Sequence, residues 1–276
     1  MSLIPNAPIA AKPDAMKSLL LMGLPKIGKT EMLLKLPNSL HIDFQRGAEA
    51  FGGNTVNVLS ALDLLTAEHQ KSRDNGPPPT ALDVIENLLA ELTIRQQGPK
   101  AFDFIVLDPI TEMQKVGLIK GKQLYIASSQ FDSKVNVNDI RMDLGYGKGY
   151  MLLEAAMIGL LSKFETLAKE CLIMIAHPKN SIIMKGDKDV MIDDIDLETK
   201  VKGYIVQNCP AIGVIKRRFE NQNWISFKRG VDDLYYGARQ PHLANQEFML
   251  SEKKPDGTLI TNWQQLFPNY KPKKVA

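Results

Sequence analysis

The sequence predicts an α/β fold: a mainly parallel central sheet flanked by helices, with an antiparallel extension toward the C-terminus. Between residues 18 and 177, apolar strands alternate with helical segments, which is typical of parallel strands joined by crossover helices. From about residue 181 the pattern changes to short strands joined by turns, which predicts hairpins. The first strand, Ser18–Met22, runs directly into a glycine-rich loop and a helix.

The remaining elements follow from their periodicity and composition. Apolar residues spaced three and four apart predict a helix over about 82–92. The continuous apolar run 101–108 is of the kind that parallel sheets bury on both faces. The other predicted elements are a strand over 39–43, a helical stretch from 111, a long amphipathic helix over about 151–170, a strand over 171–177, and hairpins over 181–193 and 211–229.

The loop after the first strand carries the strongest chemical signal. Its residues are Gly23, Leu24, Pro25, Lys26, Ile27, Gly28, Lys29 and Thr30, and Glu31 follows in the first turn of the helix. Two glycines let such a loop form a nest of inward-pointing N–H groups, and the helix N-terminus adds partial positive charge. Lys29 supplies a full charge for outer phosphates, and the Thr30 hydroxyl is placed to hold magnesium. The alternative is an ordinary strand–turn–helix; the flanking pattern favours a nucleoside triphosphate site.

A carboxylate suited to position that metal ends the run 101–108. An apolar strand that ends in Asp108 places this side chain at the carboxyl edge of a parallel sheet, where ligands bind. There Asp108 is expected to hold a magnesium-bound water opposite Thr30. The alternative is an aspartate that starts a turn before Pro109.

Composition is that of an ordinary globular protein. The chain has 276 residues, of which 44% are hydrophobic and 24% charged, and a net charge of +3 that does not decide for or against nucleic acid. Cys171 and Cys209 lack metal-ligand spacing and fit reduced thiols in a cytosolic protein. With no apolar segment of membrane-spanning length and no signal-peptide pattern, we expect a cytoplasmic protein with no membrane contact.

Four segments together resemble bacteriophage nucleotide-binding proteins with a RecA-type ATPase core, some of which are single-strand annealing recombinases. These segments are the loop Gly23–Thr30, 42–47, 105–112 and 173–177, with weaker support from 224–229, 236–243 and 263–267. The resemblance covers most of the chain from Ser18 onward. It implies a RecA-like P-loop fold, ATP with Mg²⁺ as cofactors, and a homo-oligomer on single-stranded DNA, in the host cytoplasm if phage-encoded.

The chain is predicted to divide into three parts. We predict a flexible arm over 1–15, which is rich in proline and alanine, and a RecA-like ATPase domain over 16–250. The predicted hairpins begin within this domain at about 181, and 251–276 is expected to form a C-terminal tail.

One position departs from the family pattern. RecA-like proteins commonly carry a glutamate after the second strand that polarises the attacking water; here the matching residue is Gln45. An amide orients water but accepts no proton, so hydrolysis should be slow unless another acid substitutes. Glu112, one helical turn past Asp108, is the best substitute, although it fits equally a stabilising acid at a helix start, and Glu31 is weaker. Pro109 replaces the second acid of many AAA-type machines, which favours a RecA-like site.

Two further roles follow from the resemblance. His177 occupies the strand end where RecA-like proteins place a polar sensor of the γ-phosphate; the alternative is a histidine that merely ends a strand. Assembling P-loop ATPases often complete the site with a basic residue of a neighbouring subunit, and Lys228 and Arg229 are the first candidates. The alternative is that these charges coat an exposed hairpin.

Single-stranded DNA is the predicted partner, and it has the least specific signal. Basic and aromatic residues interleave around Trp224, and Lys148 lies in a Gly/Tyr segment that is a candidate DNA-contacting loop. Core aromatics and solvated lysines explain the same pattern. The first hypothesis is an ATP-dependent recombination or annealing protein, with a single-strand-binding protein as a candidate partner. The second is a nucleotide-gated adaptor with weak hydrolysis. A phosphotransferase is disfavoured, since no arginine-rich lid segment follows a long helix.

Overall fold

A central β-sheet organises the fold. The computed structural model describes residues 15–72, 76–135, 137–185, 188–228 and 236–272, and of 181–193 the backbone alone. The strands are β1 (Ser18–Met22), β2 (Ser39–Asp43), β3 (Thr55–Asn57), β4 (Phe104–Asp108), β5 (Cys171–Ala176), β6 (Pro178–Lys185), β7 (Lys188–Ile195), β8 (Ala211–Arg218), β9 (Gln222–Ser226), β10 (Gly237–Ala238), β11 (Glu247–Lys253) and β12 (Leu259–Thr261). Within the described residues, ten of these strands form one sheet and β6 pairs with β7 separately.

The sheet is parallel in its centre and antiparallel on one side. Its order is β12-β11-β9-β8-β1-β5-β4-β2-β3, with β10 beside β8. All pairs from β8 through β1 to β3 are parallel, whereas β8–β9, β9–β11 and β11–β12 are antiparallel. The predicted parallel core with an antiparallel extension is therefore confirmed. Both predicted hairpins form, and β8 also closes the parallel part by pairing with β1.

Most of the helices lie on one face of the sheet. The helices are α1 (Lys29–Leu33), α2 (Val58–Ser72), α3 (Ala81–Arg95), α4 (Ile110–Ile126), α5 (Ile140–Asp143), α6 (Lys148–Leu167) and α7 (Thr199–Asn208). The apolar residues of α3, α4 and α6 pack on alternate residues of the parallel strands, such as Leu20 and Ile105. The predicted helix over 151–170 begins three residues earlier and ends three residues earlier, since the Gly/Tyr segment supplies its first turn.

The other face is covered by α1 and by the C-terminal residues. Trp263 and Leu266 are buried there with Leu19 and Val106 of the sheet. The rings of Phe267 and Tyr270 both lie 4.8 Å from the ring of Phe104, measured between centroids. The predicted boundary near residue 250 falls inside β11, so 251–272 packs with the sheet; a separate role for 251–276 remains a proposal.

The strand order brings the predicted functional segments to one edge. Strand β5 lies between β1 and β4, and Met22 pairs with Ala176 while Asp43 pairs with Asp108. The loop after β1, the residues after β2, Asp108 and His177 therefore meet at the carboxyl edge of the parallel strands, where such sheets bind ligands. Of the predicted arm over 1–15, residues 1–14 lie outside the described residues.

Candidate functional site

The glycine-rich loop connects β1 to a very short helix. Gly28 has a φ of 88°, and Lys26 has a φ of 63°, so the chain reverses twice in the left-handed region. Only glycine adopts the Gly28 conformation without strain, which explains the second glycine of the motif. Since α1 spans five residues, the loop N–H groups and Lys29 must supply most of the positive field, with little from the helix.

Lys29 lies inside this loop. Its side chain is buried, and Nζ donates to the carbonyl oxygens of Gly23 and Leu24, both at 2.8 Å. Burial lowers the pKa of the ammonium, and the charge of Asp108 partly opposes that shift. The ammonium is thus held at the centre of the loop by neutral oxygens, which an anionic oxygen would outcompete for a full charge.

Thr30 and Asp108 form the second part of the site. Thr30 Oγ1 donates to Asp108 Oδ2 at 2.8 Å. Burial would raise the pKa of the Asp108 carboxyl, but His41, Thr30 and Lys29 together hold that pKa below its ordinary value. His41 is fully buried, and its Nε2 lies 3.2 Å from Asp108 Oδ2 without hydrogen-bond alignment. Asp108 is therefore an ionised carboxylate at neutral pH.

These two oxygens fit a hard divalent cation such as Mg²⁺. Magnesium takes oxygen ligands, uses one or two protein groups, and completes its shell with water and phosphate oxygens. The residues that the structure describes contain no group of three or more His, Cys, Asp or Glu placed to hold a metal. Two protein oxygens fit a metal that takes its remaining ligands from water and phosphate. Gly47 faces Thr30: a Cβ there would lie 3.8 Å from Thr30 Oγ1.

The segment after β2 is fixed by Asp43, a residue that the sequence argument missed. Its buried carboxylate accepts from the N–H groups of Gln45 and Ala48, both at 2.8 Å, and from Asn57 Nδ2 at 3.2 Å. The Phe44 N–H donates to the Asp108 carbonyl at 2.9 Å, which ties this segment to β4. Gln45 is exposed at the edge. An aspartate at a strand end followed by a polar turn was the available signal.

Glu112 and His177, the other two predicted site residues, are in different states. Glu112, in the first turn of α4, forms an ion pair with Lys115, so its carboxylate has a charged partner on its own helix. His177 follows β5, and its buried Nδ1 has no hydrogen-bond partner among the described residues. Burial and then the charge of Lys29 lower the pKa of His177, so the ring is neutral at neutral pH.

The basic residues predicted to act across a subunit interface or on DNA lie in different environments. Lys228 Nζ donates to Glu247 Oε2 at 3.3 Å on the antiparallel side of the sheet, and Arg229 lies outside the described residues. Arg217 instead reaches the loop of its own chain, where Nη2 donates to the Ile27 carbonyl at 3.0 Å. Lys148 is not in a flexible loop: it begins α6, and its ammonium lies 4.8 Å from the centre of the Tyr125 ring.

A groove of about 300 Å³ adjoins α1. Its lining includes Glu31 and Lys35 of the α1 segment and Phe51, whose side chain is half exposed. Two glycines, Gly52 and Gly53, follow Phe51 and have positive φ values of 68° and 103°. The groove thus has an aromatic ring and two glycines, which leave the backbone accessible to a ligand, beside Glu31, the residue that follows Thr30.

This fold and site define a P-loop nucleotide-binding domain. A family model described as an AAA domain matches residues 15–232, and the chain belongs to this family. The predicted α/β P-loop fold, with a mainly parallel sheet and an antiparallel extension, is confirmed. In the sequence, Pro109 in place of a second acid after Asp108 favoured a RecA-like site over an AAA-type one. The family match does not follow that distinction, because the chain belongs to an AAA domain family although it lacks the Asp-Glu pair.

Other comparisons add little to this family assignment. A crystal structure of the RadB recombinase is similar over 88% of this chain and 90% of that chain, at 12% sequence identity and a TM-score of 0.39. A likeness at this level is too low to transfer a function or a partner. No curated protein sequence matches the chain. Among the described residues, no helix is long and apolar enough to cross a membrane.

Proposed function

We propose that the protein binds Mg²⁺-ATP at the loop Gly23–Thr30. The observation that carries this proposal is the hydrogen bond of 2.8 Å from Thr30 Oγ1 to Asp108 Oδ2. It lies beside the buried Lys29, whose ammonium is held within the loop. Lys29 contacts the outer phosphates, and Thr30 with Asp108 holds the metal, which neutralises phosphate charge when bound. The base lies in the groove lined by Phe51, since stacking on an aromatic ring suits a purine.

Hydrolysis is proposed to be slow. Gln45 is exposed and stands at the position that matches the usual glutamate, and its amide orients water without accepting a proton. Glu112 has Lys115 as an ion-pair partner, and a neighbouring positive charge favours the carboxylate form and makes it a weaker base. His177, neutral and with a free Nδ1, is suited to sense the γ-phosphate between the loop and Asp108.

We further propose that the protein acts in DNA recombination or single-strand annealing, as an ATP-bound oligomer on single-stranded DNA. The resemblance to phage RecA-core proteins supports this proposal. So does the turn before α6: Tyr146 is fully exposed, and Met142 and Met151 beside it in sequence are also exposed. An exposed ring with apolar neighbours is suited to stack on unpaired bases.

A nucleotide-gated adaptor is the second candidate. Gln45 and the engagement of Glu112 by Lys115 favour it, since both suit a site that binds ATP and turns it over poorly. An adaptor of this kind would report the bound nucleotide to a protein partner without DNA.

The deciding experiment is phosphate release from ATP with and without single-stranded DNA, with Lys29→Ala as the blank. Stimulation by DNA that is lost in Tyr146→Ala and kept in Tyr146→Phe supports the recombination function, because only the alanine variant lacks a stacking ring. Equal, negligible turnover in both conditions with ATP still bound supports the adaptor.

A further inference from the structure

The hairpin β8–β9 stands behind the phosphate-binding loop. Strand β1 ends at Met22, which pairs with Val214, whereas β8 continues for four more residues to Arg218. Strand β8 therefore extends past the edge of the parallel sheet and runs beside the loop that begins at Gly23. Its partner β9 returns along the same path.

Both glycines of the loop back onto this hairpin. A Cβ added to Gly23 would lie 3.3 Å from Ile215 Cβ. One added to Gly28 would lie 3.4 Å from Asn223 Nδ2 and 3.7 Å from Arg217 Nη2. Ile215 and Arg217 are two residues apart on β8, so their side chains point to the same side of the sheet. A single face of the hairpin therefore contacts the loop at its first and second glycine.

Arg217 anchors one peptide unit of the loop. Its Nη2 donates to the Ile27 carbonyl at 3.0 Å. In a trans peptide the C=O of one residue and the N–H of the next point to opposite sides. An anchor that holds the Ile27 carbonyl toward the hairpin therefore directs the Gly28 N–H away from it, toward the interior of the loop, where a phosphate binds.

Asn223 of β9 lies against Gly28 of the loop. It is directly opposite Arg217 in the β8–β9 register, and Ser251 of β11 is opposite Asn223 in turn. Asn223 is buried, and its Nδ2 donates to Ser251 Oγ at 3.2 Å. Its Oδ1 has no hydrogen-bond partner among the described residues. A buried amide with one free oxygen, packed against Gly28, is costly in a site that serves only for stability.

We propose that Arg217 and Asn223 are positioning residues of the phosphate-binding loop, through which the antiparallel hairpin of the same chain holds the Gly28 N–H in its phosphate-binding orientation. This role rests on the proposed function, because it presupposes that the loop binds nucleotide phosphate. It also gives Arg217 a place in its own subunit, distinct from a residue that completes a neighbour's site.

The test is calorimetric titration of the full chain with Mg²⁺-ATP. Arg217→Ala should weaken binding about tenfold, as expected for loss of one hydrogen bond from a charged donor, at an unchanged melting temperature without nucleotide. Arg217→Lys keeps a donor and should restore most of the affinity. The matched control is Arg239→Ala, because exposed Arg239 also donates to a main-chain carbonyl, that of Gln207 at 2.6 Å, far along the chain from the loop. Asn223→Ala is a second variant, and it should also lower the affinity for Mg²⁺-ATP.

The outcomes separate this role from the site itself. Binding by Arg217→Ala equal to that of the unaltered protein, while Lys29→Ala binds nothing, would overturn the role of Arg217 and leave the nucleotide site standing. Equal losses of affinity in Arg217→Ala and Arg239→Ala, or a loss matched by a lower melting temperature and not restored by lysine, would show a structural role and overturn it too. Absence of ATP binding by the unaltered protein would overturn both proposals.

Discussion

The Thr30 hydroxyl donates to the Asp108 carboxylate at 2.8 Å, and this hydrogen bond joins residues that are 78 positions apart. Their strands are not neighbours, since β5 lies between β1 and β4. The two side chains meet because the segment after β1 passes the end of β5 to reach the end of β4. The contact thus depends on strand order as much as on either motif.

Replacing Thr30 by valine should remove the magnesium dependence of ATP binding. Valine keeps the shape of threonine and removes the oxygen that we propose as a metal ligand. We expect the unaltered protein to bind ATP about tenfold or more tightly with Mg²⁺ than with a chelator, on the scale of a single lost charged contact. Thr30→Ser keeps the hydroxyl and is the control. A Thr30→Val protein that retains the full Mg²⁺ effect would remove Thr30 from the metal site.

Gln45→Glu should speed hydrolysis. A carboxylate at this exposed position supplies the proton acceptor that the amide lacks, and general bases contribute roughly 10² to 10⁴-fold, of which we expect at least about tenfold here. Single-turnover phosphate release measures it, with Gln45→Ala as the control that removes water orientation without adding a base. Equal rates for the glutamate and wild-type proteins would show that the catalytic base lies elsewhere, with Glu112 as the next residue to change.

The free energy of unfolding should fall below about pH 6.5 because of His177, whose unfolded pKa is near that value. Its folded pKa is lowered, so the unfolded chain takes up the proton first as pH falls. The stabilising contribution is complete above the unfolded pKa and is lost as pH falls through the folded one. Urea unfolding between pH 7.5 and 5.5 measures it. His177→Gln should flatten this part of the curve; a curve unchanged by His177→Gln would contradict the assignment.

The sequence predicted those parts of the molecule that local pattern determines. The loop Gly23–Thr30, the strand ending in Asp108 and the helix–strand order are written in apolar runs and glycine positions, and the structure has them. The contact of Arg217 with Ile27 and the burial of His41 beside Asp108 were not predictable in this way. They depend on which strands become neighbours, and that is decided by packing between segments far apart in the chain.

The same limit applies to the Gly/Tyr segment before α6. Its composition suggested a flexible loop, but Gly149 lies where α6 crosses α5: a Cβ there would stand 1.7 Å from the Ile140 carbonyl oxygen. Only the tertiary contact shows why glycine is needed at this position. Gly147, which precedes α6 with a φ of 71°, has open space around it and serves the turn alone.

Gly149→Ala should lower the free energy of unfolding by about 2–4 kcal/mol, because α5 and α6 must separate to admit the methyl group. Gly159→Ala on the same helix is the matched control. It has no neighbour within 4 Å of the added Cβ, so alanine should stabilise the helix by up to about 1 kcal/mol. Thermal or urea unfolding compares the two. Equal stability of the two variants would contradict the described α5–α6 contact.

Titration of Mg²⁺-ATP into the unaltered protein and into Lys29→Ala tests the central claim most directly. Lys29 is the buried lysine of the loop, whereas Lys26 is exposed, and the removal of Lys29 should leave the fold intact, since burial disfavours its charge. We predict saturable binding by the unaltered protein and none by Lys29→Ala, with equal circular dichroism and melting temperature. Retained ATP affinity in a folded Lys29→Ala protein would contradict the site proposed at Gly23–Thr30.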